Sequence, residues 1–199
     1  MKIRFIGITL AVLLFIGCAP SLLKRDVDEN RKIGYEISKN EEAKMKGSAM
    51  KIADSLVNLK IKNIMDNETS FRNTYYKIHI DELKWHCPDR SKIEAEGFVV
   101  GFAGGLIGAS IWGTNNFTTV YGISNFKLTK LTEIDSIKLN CMDTISFKEN
   151  YMNYSSSKTK KRAISDAFKK SLDNAFSRIN EDNTQETMEI QEKSDELSQ

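Results

Sequence analysis

The sequence predicts an α+β domain in which a small antiparallel sheet of about three to four strands packs against amphipathic helices. Two segments, one beginning near Glu41 and one covering Lys158–Ile179, repeat apolar residues at steps of three and four, as helices do. The segments between them alternate apolar and polar residues with the period of a half-buried strand. One-faced helices and strands of this kind bury their apolar faces together, and we place the domain at residues 41–180.

The first helix is predicted from Glu41 to the turn-favouring pair Asp66-Asn67. Residues 18–40 are polar and charged without a usable apolar pattern, and they predict a tether that leads into this helix. The predicted apolar stripe of the helix consists of Met45, Ala49, Ile52, Ala53, Leu56, Leu59 and Ile64.

Three strands follow from the alternation. Thr74–Cys87 changes phase near Asp81, which predicts a bulge at that point. Phe117–Leu131 is predicted to be extended, and residues 132–136 form a hairpin turn. The last strand presents a set of mostly apolar residues on one face, which are Ile137, Leu139, Cys141, Ile145, Phe147 and Tyr151.

The helix Lys158–Ile179 has a continuous apolar stripe that should pack on this sheet. The basic residues at its start suit either contact with anionic head groups or a partner, or a solvated charge run. Residues 181–199 are rich in acids and predict a disordered tail. The apolar stripe consists of Ala163, Ile164, Ala167, Phe168, Leu172, Ala175, Phe176 and Ile179. The basic residues at the start of the helix are Lys158, Lys160, Lys161 and Arg162.

The segment Gly97–Gly113 is apolar and rich in glycine, and no charge occurs from Gly97 until Lys127. On a helix, the spacing of its glycines forms a groove, which resembles the glycine-zipper segments of some bacterial envelope proteins and implies membrane insertion or self-association. The alternative is a glycine-rich strand pair or loop buried inside the domain. The glycines concerned are Gly97, Gly101, Gly104, Gly105 and Gly108.

The N-terminus carries Lys2 and Arg4, an uncharged stretch from Phe5 to Ile16, and then Gly17-Cys18. This layout resembles the signal peptide and lipobox of bacterial lipoproteins, although Phe15 stands where the family usually has Leu. The resemblance implies that residues 1–17 are removed and that Cys18 is acylated. Ala19 after the cysteine, rather than Asp, implies the outer membrane. The alternatives are a secretory signal with an incidental cysteine, or an uncleaved helix, for which the stretch is shorter than the ~20 residues needed.

Loss of Lys2 and Arg4 with the signal peptide leaves as many basic as acidic residues, so no net charge favours nucleic acid. Cys87 and Cys141, in an exported protein, predict one disulfide, with two separate buried thiols as the alternative. The histidines, His79 and His86, do not have metal-ligand spacing with other residues.

No nucleophile elbow, phosphate loop or catalytic cysteine–histidine pattern occurs in the sequence, and we therefore expect a protein that is not an enzyme, without cofactor or metal. The order of strands and final helix loosely resembles small envelope-assembly and transport-auxiliary lipoproteins. This resemblance implies a periplasmic (or cell-surface) binding or assembly module that docks on a protein partner in the envelope. In the alternative, residues 97–113 insert into the membrane or form a homo-oligomer as a pore or assembly subunit.

Overall fold

The computed structural model describes residues 22–40, 47–68 and 71–196, and this part of the chain is α+β with one mixed five-stranded sheet and three helices. The strands lie side by side in their order along the chain. The elements are β1 (Leu22–Asp28), β2 (Ile33–Lys39), α1 (Gly47–Asn67), β3 (Thr74–His86), α2 (Arg90–Asn115), β4 (Phe117–Leu131), β5 (Ser136–Asn150) and α3 (Ser157–Glu196).

The sheet is larger than predicted, and it is mixed rather than antiparallel. The pair β2–β3 is parallel, while the other neighbouring pairs are antiparallel. A parallel pair needs a long crossover connection, and α1 lies in the segment that joins the two strands. The prediction of a tether over residues 18–40 is wrong for Leu22–Lys39, because these residues form β1 and β2. The signal peptide 1–17 and Cys18 lie outside the described residues.

The three predicted strands are confirmed. The pairing of β3 with β4 shifts between Ile80 and Glu82, so Asp81 is the extra residue of the predicted bulge. The predicted turn is closed by the Thr132 backbone N–H, which donates to the Asp135 carbonyl oxygen at 2.9 Å. Beyond the bulge, alternate residues of β3 still point to the helices, because the extra residue restores the phase.

Helices α1 and α3 cover the same face of the sheet, and the core lies between these two layers. The opposite face is polar and carries ion pairs such as Lys77 with Glu36 at 3.6 Å. The largest fully buried side chains of the core include Tyr35, Tyr76, Phe126, Phe168, Phe176, Ile33, Ile37, Met50 and Ile61.

A charged group fastens α1 to the sheet. Asp54 of α1 accepts two hydrogen bonds from Arg25 of β1, at 2.7 and 2.6 Å, and a third at 2.8 Å from the hydroxyl of Tyr35 on β2. Burial by itself would raise the pKa of Asp54, but these hydrogen bonds and the charge of Arg25 outweigh it, and the pKa lies below its ordinary value. The Asp54 side chain is therefore held as a carboxylate between α1 and the first two strands.

Helix α3 is longer than predicted, because its backbone stays helical from Ser157 to Glu196. The prediction of a disordered tail is therefore wrong for residues 181–196, and residues 197–199 lie outside the described part. The physical reason lies in composition: this stretch contains no Gly or Pro, and its Glu, Gln, Lys and Met residues are good helix formers. The apolar stripe predicted for Ala163–Ile179 is confirmed as part of the core.

Candidate functional site

The glycine-rich segment lies in α2, which connects β3 to β4 and is interrupted by a sharp turn. Gly105 has φ 63° and ψ −162°, a backbone conformation that is essentially restricted to glycine. This residue divides α2 into a first arm, Arg90–Gly104, and a second arm, Leu106–Asn115. We call the two arms together the α2 hairpin.

The two arms run antiparallel and approach closely through small residues. A Cβ atom added to Gly97 would lie 3.1 Å from the ring of Trp112, and one added to Gly101 would lie 3.9 Å from the Cβ of Ala109. On the second arm, a Cβ atom at Gly108 would lie 3.8 Å from the carbonyl oxygen of Val100. Gly97, Gly101 and Gly108 therefore let the two arms of one chain pack together, whereas Gly104 faces open space.

Large apolar side chains cover the outer surface of the α2 hairpin. Among the residues of α2, only Ile93 and Gly113 are buried. Exposure is highest beside the turn, where Phe102 is 89% and Leu106 is 92% exposed. We call this surface the apolar tip, and it consists of Phe98, Val99, Phe102, Leu106, Ile107 and Ile111.

The structure excludes one of the two interpretations of the segment Gly97–Gly113 that the sequence left open. The buried strand pair or loop is wrong, because the segment is helical and its large side chains are exposed. The glycines Gly97, Gly101 and Gly108 face the opposite arm, and the large apolar side chains point outward. Membrane insertion or self-association stays a prediction.

The base of the α2 hairpin is fixed to the domain by hydrogen bonds. The hydroxyl of Thr118 donates to a carboxylate oxygen of Asp89, the residue before α2, at 3.0 Å. After the second arm, the backbone N–H of Tyr151 donates to the carbonyl oxygen of Asn116 at 2.9 Å. The ring of Tyr151 also packs edge-on against Trp112, with ring centroids 4.9 Å apart. The hairpin is thus an extension of a firmly held base.

The basic start of α3 lies at this same end of the molecule. The Nζ atom of Lys160 lies 4.8 Å from the ring centroid of Trp85, and the guanidinium of Arg162 lies 4.3 Å from that of Phe147. A second small core unites this end, and it contains Cys87, Ile93, Val120, Tyr154 and Ala163, with Trp85, Trp112, Phe147 and Tyr151 packed around it.

A cleft of about 220 Å³ opens beside this basic start, between α1, β3 and α3. Lys160, Lys161 and Trp85 line it together with Ser48 and Ile164. The four basic residues were identified from the sequence, but their position near Trp85 was not, because it depends on how α3 lies across the sheet. The spacing of residues within α3 does not indicate which strand residue lies beside Lys160.

The predicted disulfide between Cys87 and Cys141 is not formed, and both cysteines are free and buried. Cys87 contacts Thr118 at one end of β4, whereas Cys141 pairs with Phe126 further along that strand. A separation of several residues along a strand exceeds the ~7 Å that a disulfide allows between Cα atoms. Burial raises the pKa of the Cys141 thiol to about 11, which keeps it protonated and unreactive near neutral pH.

Of the two histidines, His79 lies away from the hairpin base, whereas His86 ends β3 three residues before Asp89. His79 shares a hydrogen bond of 2.9 Å with the hydroxyl of Ser38 on the polar face of the sheet, and His86 is exposed at the end of β3. Within residues 22–40, 47–68 and 71–196, no group of three or more His, Cys, Asp or Glu side chains is arranged to hold a metal ion.

No protein-family model matches the chain, and no curated protein matches it in sequence. By length and composition, α2 is the one helix in the described part of the chain that is long and apolar enough to cross a membrane. The turn at Gly105 divides this length between two antiparallel arms. At 1.5 Å per residue, the arms are only about 22 Å and 15 Å long. Neither arm reaches across a hydrocarbon core of ~30 Å.

We expect Gly105→Ala to destabilise the α2 hairpin by about 1–3 kcal/mol, because alanine is strained in the backbone conformation of Gly105. Hydrogen exchange should show faster exchange across both arms of α2 and unchanged protection in the sheet. Gly104→Ala is the matched control, since a Cβ atom there meets nothing within 4 Å. Equal exchange in the two variants would contradict the turn at Gly105.

Proposed function

We propose that this protein is a lipid-anchored, non-catalytic binding and assembly module of the cell envelope, and that the α2 hairpin is its working element. The observation that supports this proposal best is the apolar tip, whose six large side chains are all more than half exposed. Contiguous exposed apolar surface of this kind marks interaction sites in soluble domains. Burial of each such side chain against a binding component contributes about 1.5–3 kcal/mol.

The anchor in this proposal is Cys18, acylated after removal of residues 1–17, with the domain facing the periplasm from the outer membrane. The direction of β1 is compatible with an anchor on the α2 side of the sheet. Leu22 pairs with Ser38, and β1 runs opposite to β3, so its first residue points toward the end of the sheet where α2 follows β3. Leu22 is level with His79, seven residues before the end of β3, so β1 begins on the α2 side of the sheet but about 23 Å short of the last residue of β3, at about 3.3 Å per residue.

Self-association through a glycine zipper is less well supported. A zipper needs small residues free on the outer face of a helix, so that a second copy can approach. In the α2 hairpin, Gly97, Gly101 and Gly108 already face the opposite arm of the same chain. The outer face is formed by bulky side chains instead, which favours docking of the tip into another component.

The test is fractionation of the envelope after loss of the lipid anchor. The Cys18→Ser chain is exported behind a cleavable signal, and envelopes are washed with high salt. We expect a fraction of the unlipidated chain to remain bound, and Phe102→Ser with Leu106→Ser to release it. Ile134→Ser is the matched control, because Ile134 is 98% exposed in the β4–β5 turn. Complete solubility of the parent Cys18→Ser chain, or equal release by the control, would overturn the proposal.

A further inference from the structure

We infer that the component bound by the apolar tip is the lipid bilayer itself, that the α2 hairpin inserts into a single leaflet, and that the basic start of α3 contacts anionic head groups. The inference rests on the proposed function and names the partner of the same site. It follows from the shape, length, polarity and charge of this end of the molecule.

The apolar surface surrounds the hairpin and is not confined to one stripe. The arms contact each other through Gly97, Gly101 and Gly108, so the outer faces of the two arms point in opposite directions. Phe102 on the first arm and Ile107 on the second are 89% and 77% exposed. A helix that binds a protein groove presents one apolar face. Apolar residues on both sides fit a surrounding hydrocarbon medium.

The length of the apolar part fits one leaflet. No charged residue occurs from Gly97 to Phe126, and the apolar tip begins at Phe98. From Phe98 to the turn at Gly105 the first arm extends about 10 Å, at 1.5 Å per residue. Half of a ~30 Å hydrocarbon core is about 15 Å, so the tip enters one leaflet without crossing to the other.

Two polar side chains at the base of the hairpin, those of Thr114 and Asn116, donate hydrogen bonds to the backbone of the second arm. The hydroxyl of Thr114 donates to the backbone carbonyl oxygens of Ser110 and Ile111, at 3.1 Å in each case. The side-chain amide of Asn116 donates to the carbonyl oxygen of Trp112 at 2.8 Å. Paired polar groups lower the cost of leaving water, and hydroxyl groups bonded to their own helix suit an apolar medium.

The base of the hairpin has the residues that occur at a membrane surface. Trp112 packs on Tyr151 at the base, and amphipathic aromatic rings concentrate at the boundary between lipid and water. Below them on the first arm, Arg90 pairs with Glu94 at 2.8 Å and Lys92 with Glu96 at 3.8 Å, and all four side chains are exposed to water. Apolar tip, aromatic base and charged residues therefore follow one another along the hairpin axis.

The basic start of α3 adds a preference for anionic lipid. Lys160 lies beside Trp85, which belongs to the same small core as Trp112 at the hairpin base. Lys161 and Arg162 are exposed next to it. Clustered basic residues close to a bilayer are attracted by anionic head groups, and the attraction weakens with salt.

The test uses the full mature Cys18→Ser chain and flotation with vesicles of phosphatidylcholine, alone or with 30% phosphatidylglycerol. We expect Phe102→Ser with Leu106→Ser to lower the partition coefficient at least about 100-fold, because each large apolar side chain contributes about tenfold or more. Lys160→Gln with Lys161→Gln should lower binding about 30-fold for the anionic vesicles only. Ile134→Ser should bind like the parent chain, and circular dichroism checks the fold of every variant.

A second measurement tests insertion directly. An environment-sensitive fluorophore on Phe102→Cys should be quenched by lipids that carry a quencher within the acyl chains, whereas the same fluorophore on Ile134→Cys should not. Cys87 and Cys141 are buried, which favours labelling of the introduced cysteine. Quenching at both positions, or at neither, would overturn the insertion.

The outcomes separate this inference from the proposed function. Absence of vesicle binding, with envelope retention that still depends on Phe102 and Leu106, would identify a protein component and overturn the lipid inference alone. Absence of both would overturn the function as well. A defined oligomer in light scattering that Phe102→Ser with Leu106→Ser dissociates would assign the tip to a second copy and also overturn the lipid inference.

Discussion

Replacement of Gly122 by alanine is expected to lower the free energy of unfolding by about 3 kcal/mol or more, the upper range for overpacking a core. Gly122 lies in the central part of β4, where the backbone of α3 crosses directly above it. A Cβ atom at this position would overlap the carbonyl group of Ala163, and it would lie 2.6 Å from the carbonyl carbon and 3.1 Å from the Cβ of Ala167. Backbone cannot rotate away as a side chain can, so α3 must lift from the sheet.

The measurement is urea unfolding of Gly122→Ala beside the parent chain. Ser124→Ala is the matched control, because Ser124 is fully buried on the same strand and its hydroxyl has no hydrogen-bond partner in the described structure. Removal of an unpaired buried hydroxyl should be nearly neutral or stabilising. A loss below about 1 kcal/mol in Gly122→Ala would mean that α3 does not rest on β4 as described.

The effect of this glycine reaches the candidate site. Trp85 lies opposite Gly122 in the β3–β4 pairing, and Lys160 lies over the ring of Trp85. A lifted α3 would separate the basic start of the helix from the hairpin base. Gly122→Ala should therefore also weaken binding to anionic vesicles in any fraction that remains folded.

The elements with strong local periodicity could be predicted from the sequence. β4 matches the predicted range Phe117–Leu131, and the bulge at Asp81 followed from a change of phase that only an extra residue explains. The first helix was predicted less accurately. Leu59 was assigned to its apolar stripe but is 57% exposed, whereas Val57 and Ile61 are fully buried. Steps of four from Ala53 give the correct stripe.

The first two strands could not be recognised in the same way. β1 is an edge strand in which three charged residues follow one another at positions 24–26. It therefore shows no alternation of apolar and polar residues. β2 does alternate, with Ile33, Tyr35 and Ile37 all buried, but it is short and borders a polar stretch. The parallel pairing of β2 with β3 depends on contacts across α1, which no local pattern encodes.

The candidate site was predicted in composition but not in geometry. The four-residue spacing of Gly97, Gly101 and Gly105, repeated by Gly104 and Gly108, indicated close helix packing. Gly104 and Gly105 do not face another helix, and the helix that the other three face is the opposite arm of the same segment. Gly105 was predicted to belong to the packing groove, and only its backbone angles identify it as the turn. The predicted disulfide failed for a related reason, because two inward cysteines lay at different levels of the sheet.

Replacement of Asp54 by alanine is expected to lower the free energy of unfolding by about 2–3 kcal/mol, because it removes the acceptor of three hydrogen bonds, two of them from a charged guanidinium. Tyr35 is fully buried and would lose the acceptor of its 2.8 Å hydrogen bond, but its hydroxyl also lies 3.2 Å from the backbone carbonyl oxygen of Asp54, an acceptor that alanine retains. Arg25 would lose both of its bonds, but its side chain is 54% exposed and water would compensate part of that loss. The effect therefore comes from the loss of the carboxylate that joins α1 to both strands, and not from one unpaired partner.

Chemical unfolding of Asp54→Ala against Asp173→Ala separates this group from an ordinary ion pair. Asp173 pairs with Lys60 at 2.6 Å between α1 and α3, but its side chain is 46% exposed, so its loss should cost no more than about 1 kcal/mol. Equal losses in the two variants would show that Asp54 is no more than a surface partner of Arg25.

The same carboxylate predicts how stability depends on acid. The pKa of Asp54 is lower in the folded chain than its ordinary value of 3.8, so the folded state holds the proton less tightly than the unfolded state does. Its contribution is fully present above that ordinary value and is lost as the pH falls through the lowered pKa. The stability difference between the parent chain and Asp54→Asn, measured by urea unfolding from pH 6 to pH 2, should therefore be constant above about pH 5 and shrink below pH 4. A difference that stays constant to pH 2 would mean that the charge on Asp54 does not hold α1 to the first two strands.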